Sequence, residues 1–177
     1  DLGTEEQYRA YREFTGKIED FGVRVFNGVG NHDLYSDGWD LWRQYCSPGT
    51  SFYTFQAGGF SFYVLDTGTG NLGQTQLELL QTALQADPMP KIIMTHYPLH
   101  ATAGYFKLDD TTERNTLISL YAQSNVRLTV SGHHHFYEPT DFGTYKSYTV
   151  ASFGYDNFMS IVHVDKSAQT AVLSVVE

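Results

Sequence analysis

The chain has a single cysteine, Cys46, which rules out an intrachain disulfide framework and a thiolate-rich metal site. Basic residues are scarce too: 11 Lys and Arg stand against 20 Asp and Glu, a formal charge of −9. A surface of that sign repels a long polyanion, so extended nucleic acid is a poor partner for it. A small phosphate-bearing substrate stays open, because bound divalent cations can reverse the local field. No apolar run nears the ~20 residues of a membrane-spanning helix, and no secretory leader is visible. An initiating Met is absent as well. DLGTEEQY opens directly on a helix cap, and residue 1 reads as a cut. None of these counts fixes a compartment.

What is present suits one strand-rich domain. The 177 residues are 41% apolar and only 18% charged, which argues against disorder and leaves enough to bury a core. Thirteen tyrosines and twelve phenylalanines suit half-buried pleated surfaces. Thr4 with Gln7 forms a capping-box pattern, and Tyr8, Tyr11, Phe14, Ile18 and Phe21 follow at helical spacing, so a helix is expected over 4–21. VRVFN, 23–27, reads as a strand, 37–45 as a short helix carrying Trp39 and Trp42, and SFYTFQAGGFSFYVLDTG as a hairpin. Thr75 with Glu78 repeats the capping box ahead of a helix over 74–86. KIIMTH, 91–96, is a strand buried on both faces, a helix follows over about 110–124, and VRLTVSG, 126–132, is another strand. Three strands are expected from 145 onward. The fold class is α/β, with a mixed sheet or two packed sheets and helices outside.

Three of these strands end in histidine. VRVFN leads to GVGNHD, KIIM to THYPLH, and VRLTV to SGHHH. Carboxyl ends of strands form the ligand crevice of open α/β sheets, so Asn31, His32, His96, His133 and His135 are expected to converge. Gly28, Gly30 and Gly132 let the backbone approach a bound group without a Cβ in the way. Imidazole is the commonest ligand for zinc, iron and manganese, and an asparagine carbonyl adds a neutral oxygen. His133 and His135, two apart, can serve two neighbouring ions, the arrangement that clamps both oxygens of a phosphate ester in displacement.

GNHD at 30–33, His96 after its strand and GHHH at 132–135 together resemble the last three motifs of the calcineurin-like metallophosphoesterases, in order and over essentially the whole chain. The resemblance implies a two-sheet sandwich flanked by helices (α/β/β/α) and a dinuclear metallophosphoesterase acting on a small phosphoester. It implies that Asn31, His96 and His133 ligate a second metal, that His135 ligates the first, and that a metal-bound water or hydroxide attacks. It places His32 beside the substrate phosphate, stabilising charge or protonating the leaving oxygen. Two ions, manganese, iron or zinc, are expected in the complete domain. The phosphodiester or phosphomonoester substrate is left open.

Two earlier motifs of that family, DxH and GDxxD, are missing from the chain. In that family the first helix follows GDxxD almost at once, so the resemblance implies that Asp1 is the last residue of GDxxD and would be the partner that orients His32. The domain is therefore expected to be N-terminally incomplete, lacking its opening strands, with the remaining ligands on a missing segment or a partner chain. Such a chain should hold one ion or none and hydrolyse little. The alternative is a non-catalytic metal-binding or interaction domain of the same fold. His100, just after the HYP turn, is a candidate substrate contact. His134, at the variable position of GHxH, reads as a bystander, and His163, inside IVHVD, as a satisfied sheet residue. Asp66 reads as a turn-capping carboxylate and Asp33 as bonding its own loop. Trp39, Trp42, Tyr105 and Phe106 line either a cleft or the core.

Overall fold

The computed structural model describes residues 3–102 and 107–176. Asp1, Tyr105 and Phe106 therefore lie outside the described residues. The chain opens with α1 (Glu5–Asp20), where the expected capping box forms: Thr4 Oγ1 accepts from the Gln7 amide and the Gln7 side chain accepts from the Thr4 amide. A 3₁₀ turn (His32–Leu34) and α2 (Gly38–Tyr45) follow. β1 (Tyr53–Ala57) and β2 (Phe60–Val64) form the expected hairpin. Its turn residues Gly58 and Gly59 both have positive φ, 59° and 83°, the backbone of a type I′ turn. Then come α3 (Gln74–Ala86), β3 (Lys91–Thr95), α4 (Thr111–Gln123) and β4 (Val126–Ser131). β5 (Glu138–Asp141), β6 (Lys146–Thr149), α5 (Phe153–Asp156), β7 (Met159–Asp165) and β8 (Thr170–Val176) complete the described fold.

The sheets match the α/β expectation. Six strands in the order β1-β2-β3-β4-β6-β5 form one mixed sheet, and β7 pairs with β8 in a second. Strand period two distributes the core. Ile92 joins Phe60, Leu128 and Leu173 between the two sheets, while its neighbour Ile93 joins Tyr63 and the Leu80, Leu84, Leu117 and Tyr121 stripes of α3 and α4. The central strands β2, β3, β4 and β6 run parallel, which explains why KIIM is apolar without alternation.

Four local expectations need correction. Residues 23–27 form no strand. Among the described residues β1 pairs only with β2, so no ladder partner reaches this stretch, and side chains hold it instead. Phe26 stacks on Phe55 with centroids 3.7 Å apart, and the Tyr53 hydroxyl donates to the Asn27 carbonyl at 2.8 Å. The Thr75–Glu78 capping box is not made: Gly73 is the cap residue. The amides of Leu72 and Gly73 donate to the Glu113 carboxylate of α4, at 2.7 and 2.9 Å. The apolar stripe of α1 is only partly covered, with Tyr8 buried but Phe14 and Phe21 exposed. Finally, the chain after 137 contains the extra strand β5, an edge strand that tolerates Pro139 in its sequence EPTD. No described helix is long and apolar enough to cross a membrane.

Candidate metal centre and active site

Two parallel neighbours set the frame. β3 and β4 pair in a register that places Thr95 opposite Ser131, so the residues immediately after them, His96 and Gly132, leave the sheet side by side. The Gly132 amide donates to the His96 carbonyl at 3.0 Å. On the other flank the buried Thr67 hydroxyl accepts from the amides of both His96 and Tyr97, at 2.9 and 3.1 Å. His96 is thus fixed from two sides before its ring meets anything.

Asn31 arrives from the loop above. It sits in helical conformation, φ −66° and ψ −34°, at the entry of the 3₁₀ turn. Asp33 clamps that loop by accepting from the Gly30 amide at 2.8 Å, the local role expected for its carboxylate. Burial pushes the Asp33 pKa up, against the pull of the Gly30 amide. The Tyr8 hydroxyl of α1 donates to the Asp33 carbonyl at 2.8 Å, tying the loop to the first helix.

The three tips meet at one nitrogen. His96 Nε2 lies 2.8 Å from Asn31 Oδ1 and 3.0 Å from His133 Nδ1. A single imidazole nitrogen has one hydrogen or one lone pair, so it cannot serve both neighbours with full-strength bonds. Two donors ~2.1 Å from one ion and at a right angle to each other stand ~3.0 Å apart. Two imidazole nitrogens and an amide oxygen at this spacing therefore fit a common cation, with the donor chemistry of manganese, iron or zinc. Burial, and then the neighbouring imidazoles of His133, His135 and His32, push the His96 pKa down from 6.5 to about 4. The His133 pKa is lowered too, by burial and then by the imidazoles of His135, His32 and His134. Both rings are held in the neutral form that binds metal.

The expected set does not converge uniformly. His32 and His135 lie within electrostatic reach of His96, and each packs on a tyrosine. The His32 ring is 5.1 Å from that of Tyr35, and the His135 ring 5.3 Å from that of Tyr155. Among the described residues no three His, Cys, Asp or Glu side chains form a group able to hold an ion; the close contact consists of two imidazoles and one amide. His133 and His135 both have left-handed backbone, φ 61° and 62°, a strained conformation for non-glycine residues that recurs at functional sites. His100 packs beside Glu138. Its Nε2 faces Glu138 Oε1 at 3.7 Å and its side chain is half exposed.

The remaining candidates are held by contacts away from the Asn31–His96–His133 meeting point. His134 is buried, with Nδ1 3.3 Å from Glu138 Oε2. His163 Nε2 bonds Ser174 across β7 and β8 at 2.9 Å. Asp66 Oδ1 accepts from the Gly68 amide at 3.1 Å, closing a turn. Of the tryptophans, Trp42 belongs to a buried cluster with Tyr8 and Val29, whereas Trp39 lines a surface cleft with Leu34, Asp66 and Leu72.

Sequence reasoning missed Glu138, Thr67 and Tyr97. Glu138 accepts from the amide and hydroxyl of Thr102, so it joins the loop carrying His100 to the GHHH turn. Burial works to raise its pKa, but the Thr102 hydrogen bonds hold it below the ordinary value. Tyr97 lies against the His133 ring, centroids 3.8 Å apart. Thr67 follows Asp66 directly in VLDTG, the one local signal that could have drawn attention to it.

The fold recurs among known structures. A dimetal phosphatase from Danio rerio matches with a TM-score of 0.65 at 16% identity, over 81% of this chain and 66% of that one. Purple acid phosphatase PPD1 from yellow lupin seeds matches at 19% identity with a TM-score of 0.44, over 58% of this chain. PhoD matches at 16% identity with a TM-score of 0.45, over 60% of this chain. The chain spans 66%, 23% and 29% of those three lengths. No curated protein matches it. Residues 3–137, which include GNHD, His96 and GHHH, match the calcineurin-like phosphoesterase family; with the motifs in order on the expected fold, the chain belongs to that family.

Proposed function

We propose that this domain is part of a metal-dependent phosphoester hydrolase acting on a small phosphoester. The observation that carries the reading is the meeting of Asn31 Oδ1 and His133 Nδ1 at His96 Nε2, within 2.8 and 3.0 Å. Asn31, His96 and His133 would hold one ion, and His135, on the same turn as His133, would face a second. A bound ion supplies Lewis-acid polarisation of a phosphoryl oxygen and acidifies water. The chain's own residues do the rest. His32, next to Asn31 in the clamped loop, contacts the phosphate and stabilises its charge or donates a proton to the leaving oxygen. Asp1 is assigned as the partner that would orient His32, and His100 as a substrate contact. Manganese, iron and zinc all suit the donors.

The test is hydrolysis of bis(p-nitrophenyl) phosphate and p-nitrophenyl phosphate, by chelated protein and by protein resupplied with each metal, each with and without an added N-terminal segment carrying the DxH and GDxxD motifs. Metal-dependent turnover that is lost in Asn31→Ala and in His32→Ala supports the roles given. Turnover that survives both substitutions sinks them. The alternative, a non-catalytic metal-binding or interaction domain of the same fold, predicts one bound ion or none and no turnover of either ester.

A further inference from the structure

The two imidazoles outside the central contact each carry a tyrosine at the surface. Tyr35, against His32, is 47% exposed, and Tyr155, against His135, is 75% exposed. Tyr155 sits on α5, the four-residue turn between β6 and β7, closed by Asn157 in left-handed conformation. An exposed tyrosine alone is ordinary. What distinguishes this one is placement: one face of the ring leans on His135, at an interplanar angle of 36°, and the remainder is open to solvent.

We propose that Tyr155 determines specificity, favouring phosphoesters whose alcohol carries a planar aromatic group, with that group stacked on the open part of the ring. The inference rests on the phosphoester-hydrolase reading, in which the phosphate lies among Asn31, His32, His96 and His133. A substrate anchored there and extending past His135 passes Tyr155. Offset stacking on a tyrosine adds to the area it buries, and stacking tolerates any base or aryl ring because each has a π-face. His135 packs one side of the tyrosine, so less ring freedom is lost when a substrate covers the other. A saturated alcohol of similar size buries area there but gains no stacking.

Matched pairs test this while keeping the linkage a primary alkyl phosphate. Adenosine 5′-monophosphate and ribose 5-phosphate share their ester linkage and differ by the base. Benzyl phosphate and cyclohexylmethyl phosphate differ by the aromaticity of the ring, and they separate a bare aryl group from a nucleobase. With metal-supplied protein, kcat/KM and calorimetric affinity should favour the aromatic member of at least one pair by about 10-fold or more. The preference should shrink to within about 2-fold in Tyr155→Ala and persist in Tyr155→Phe, which keeps the ring. Wild-type protein without the preference, or Tyr155→Ala retaining it, overturns the proposal. If neither ester of a pair is hydrolysed even with the DxH- and GDxxD-bearing segment supplied, the hydrolase reading fails, while the calorimetric comparison still decides whether Tyr155 stacks an aromatic ligand.

Discussion

Gly30, the first residue of GNHD, offers a sharp test of how tightly the centre is packed. Its φ lies outside the left-handed region, so alanine there meets no backbone strain. The obstacle is contact: a Cβ on Gly30 would lie 3.0 Å from both Cε1 and Nδ1 of the His96 ring and 3.3 Å from Asp33 Oδ2. Comfortable contact is ~3.5 Å, so the ring or the loop must yield by about half an ångström. The ring has little room. Its far edge meets Asn31 and His133, and its backbone is pinned by Thr67 and Gly132. Gly30→Ala should cost about 1–3 kcal/mol of stability, as overpacking does. It should also weaken manganese or zinc binding by roughly 10–100-fold, the range for disturbing groups that orient ligands. Gly28 and Gly132 are internal controls. Their nearest neighbours would be Val64 Cγ1 at 3.7 Å and His96 Nδ1 at 3.8 Å, ordinary contacts. Calorimetric titration with each metal, alongside urea midpoints, reads both effects. The reasoning is refuted if Gly30→Ala binds metal within 2-fold of wild type, or if Gly28→Ala falls as far.

The metal-free protein should lose stability as pH drops. His96 titrates near 6.5 when unfolded and at about 4 when folded, so the unfolded chain binds more protons between those values. Stability then falls from about pH 6.5 to about 4 and levels below, with His133 adding in the same direction. Urea midpoints across that range should show a flatter profile in His96→Asn, and an unchanged profile would contradict the assignment. Lys91 is 1% exposed and its ammonium donates to the carbonyls of Asp87 and Met89, at 2.6 and 2.9 Å. Lys91→Met orphans both and should cost about 2–4 kcal/mol by urea denaturation, whereas a change under about 0.5 kcal/mol would show that water replaces the ammonium. A Cβ on Gly38 would lie 2.1 Å from the Asp33 carbonyl oxygen, so Gly38→Ala should displace the GNHD loop and lower the thermal midpoint more than Tyr8→Phe, which removes only the hydroxyl's bonds to Asp33 and Gly38. The reverse order would mean that the loop is looser than its contacts imply.

How much of this could be read from the sequence depended on how local each feature was. The hairpin was legible because two adjacent glycines dictate the turn, and β3 because a short apolar run is what a strand covered on both faces requires. His96 and His133 were legible for the same reason: His96 follows its strand directly, His133 comes one glycine after its own, and parallel pairing of β3 with β4 brings them together. Residues 23–27 have the composition of a strand, but a strand also needs a hydrogen-bonding neighbour, which no local pattern reveals. The cap of α3 was misplaced because its acceptor, Glu113, is 40 residues away on α4. β5 was hidden by Pro139, which an edge position tolerates. Glu138 and Thr67 act through contacts distant in sequence, and a lone Glu or Thr carries no periodicity to betray it. Tyr155 was invisible as a neighbour of His135 because twenty residues and two strands separate them.

The most direct test of the central claim is anomalous diffraction from a crystal of this chain soaked in manganese or zinc. The account predicts a peak within coordinating distance, ~2.0–2.3 Å, of Asn31 Oδ1, His96 Nε2 and His133 Nδ1 together. No peak at that position, or a peak held by other side chains, would contradict it.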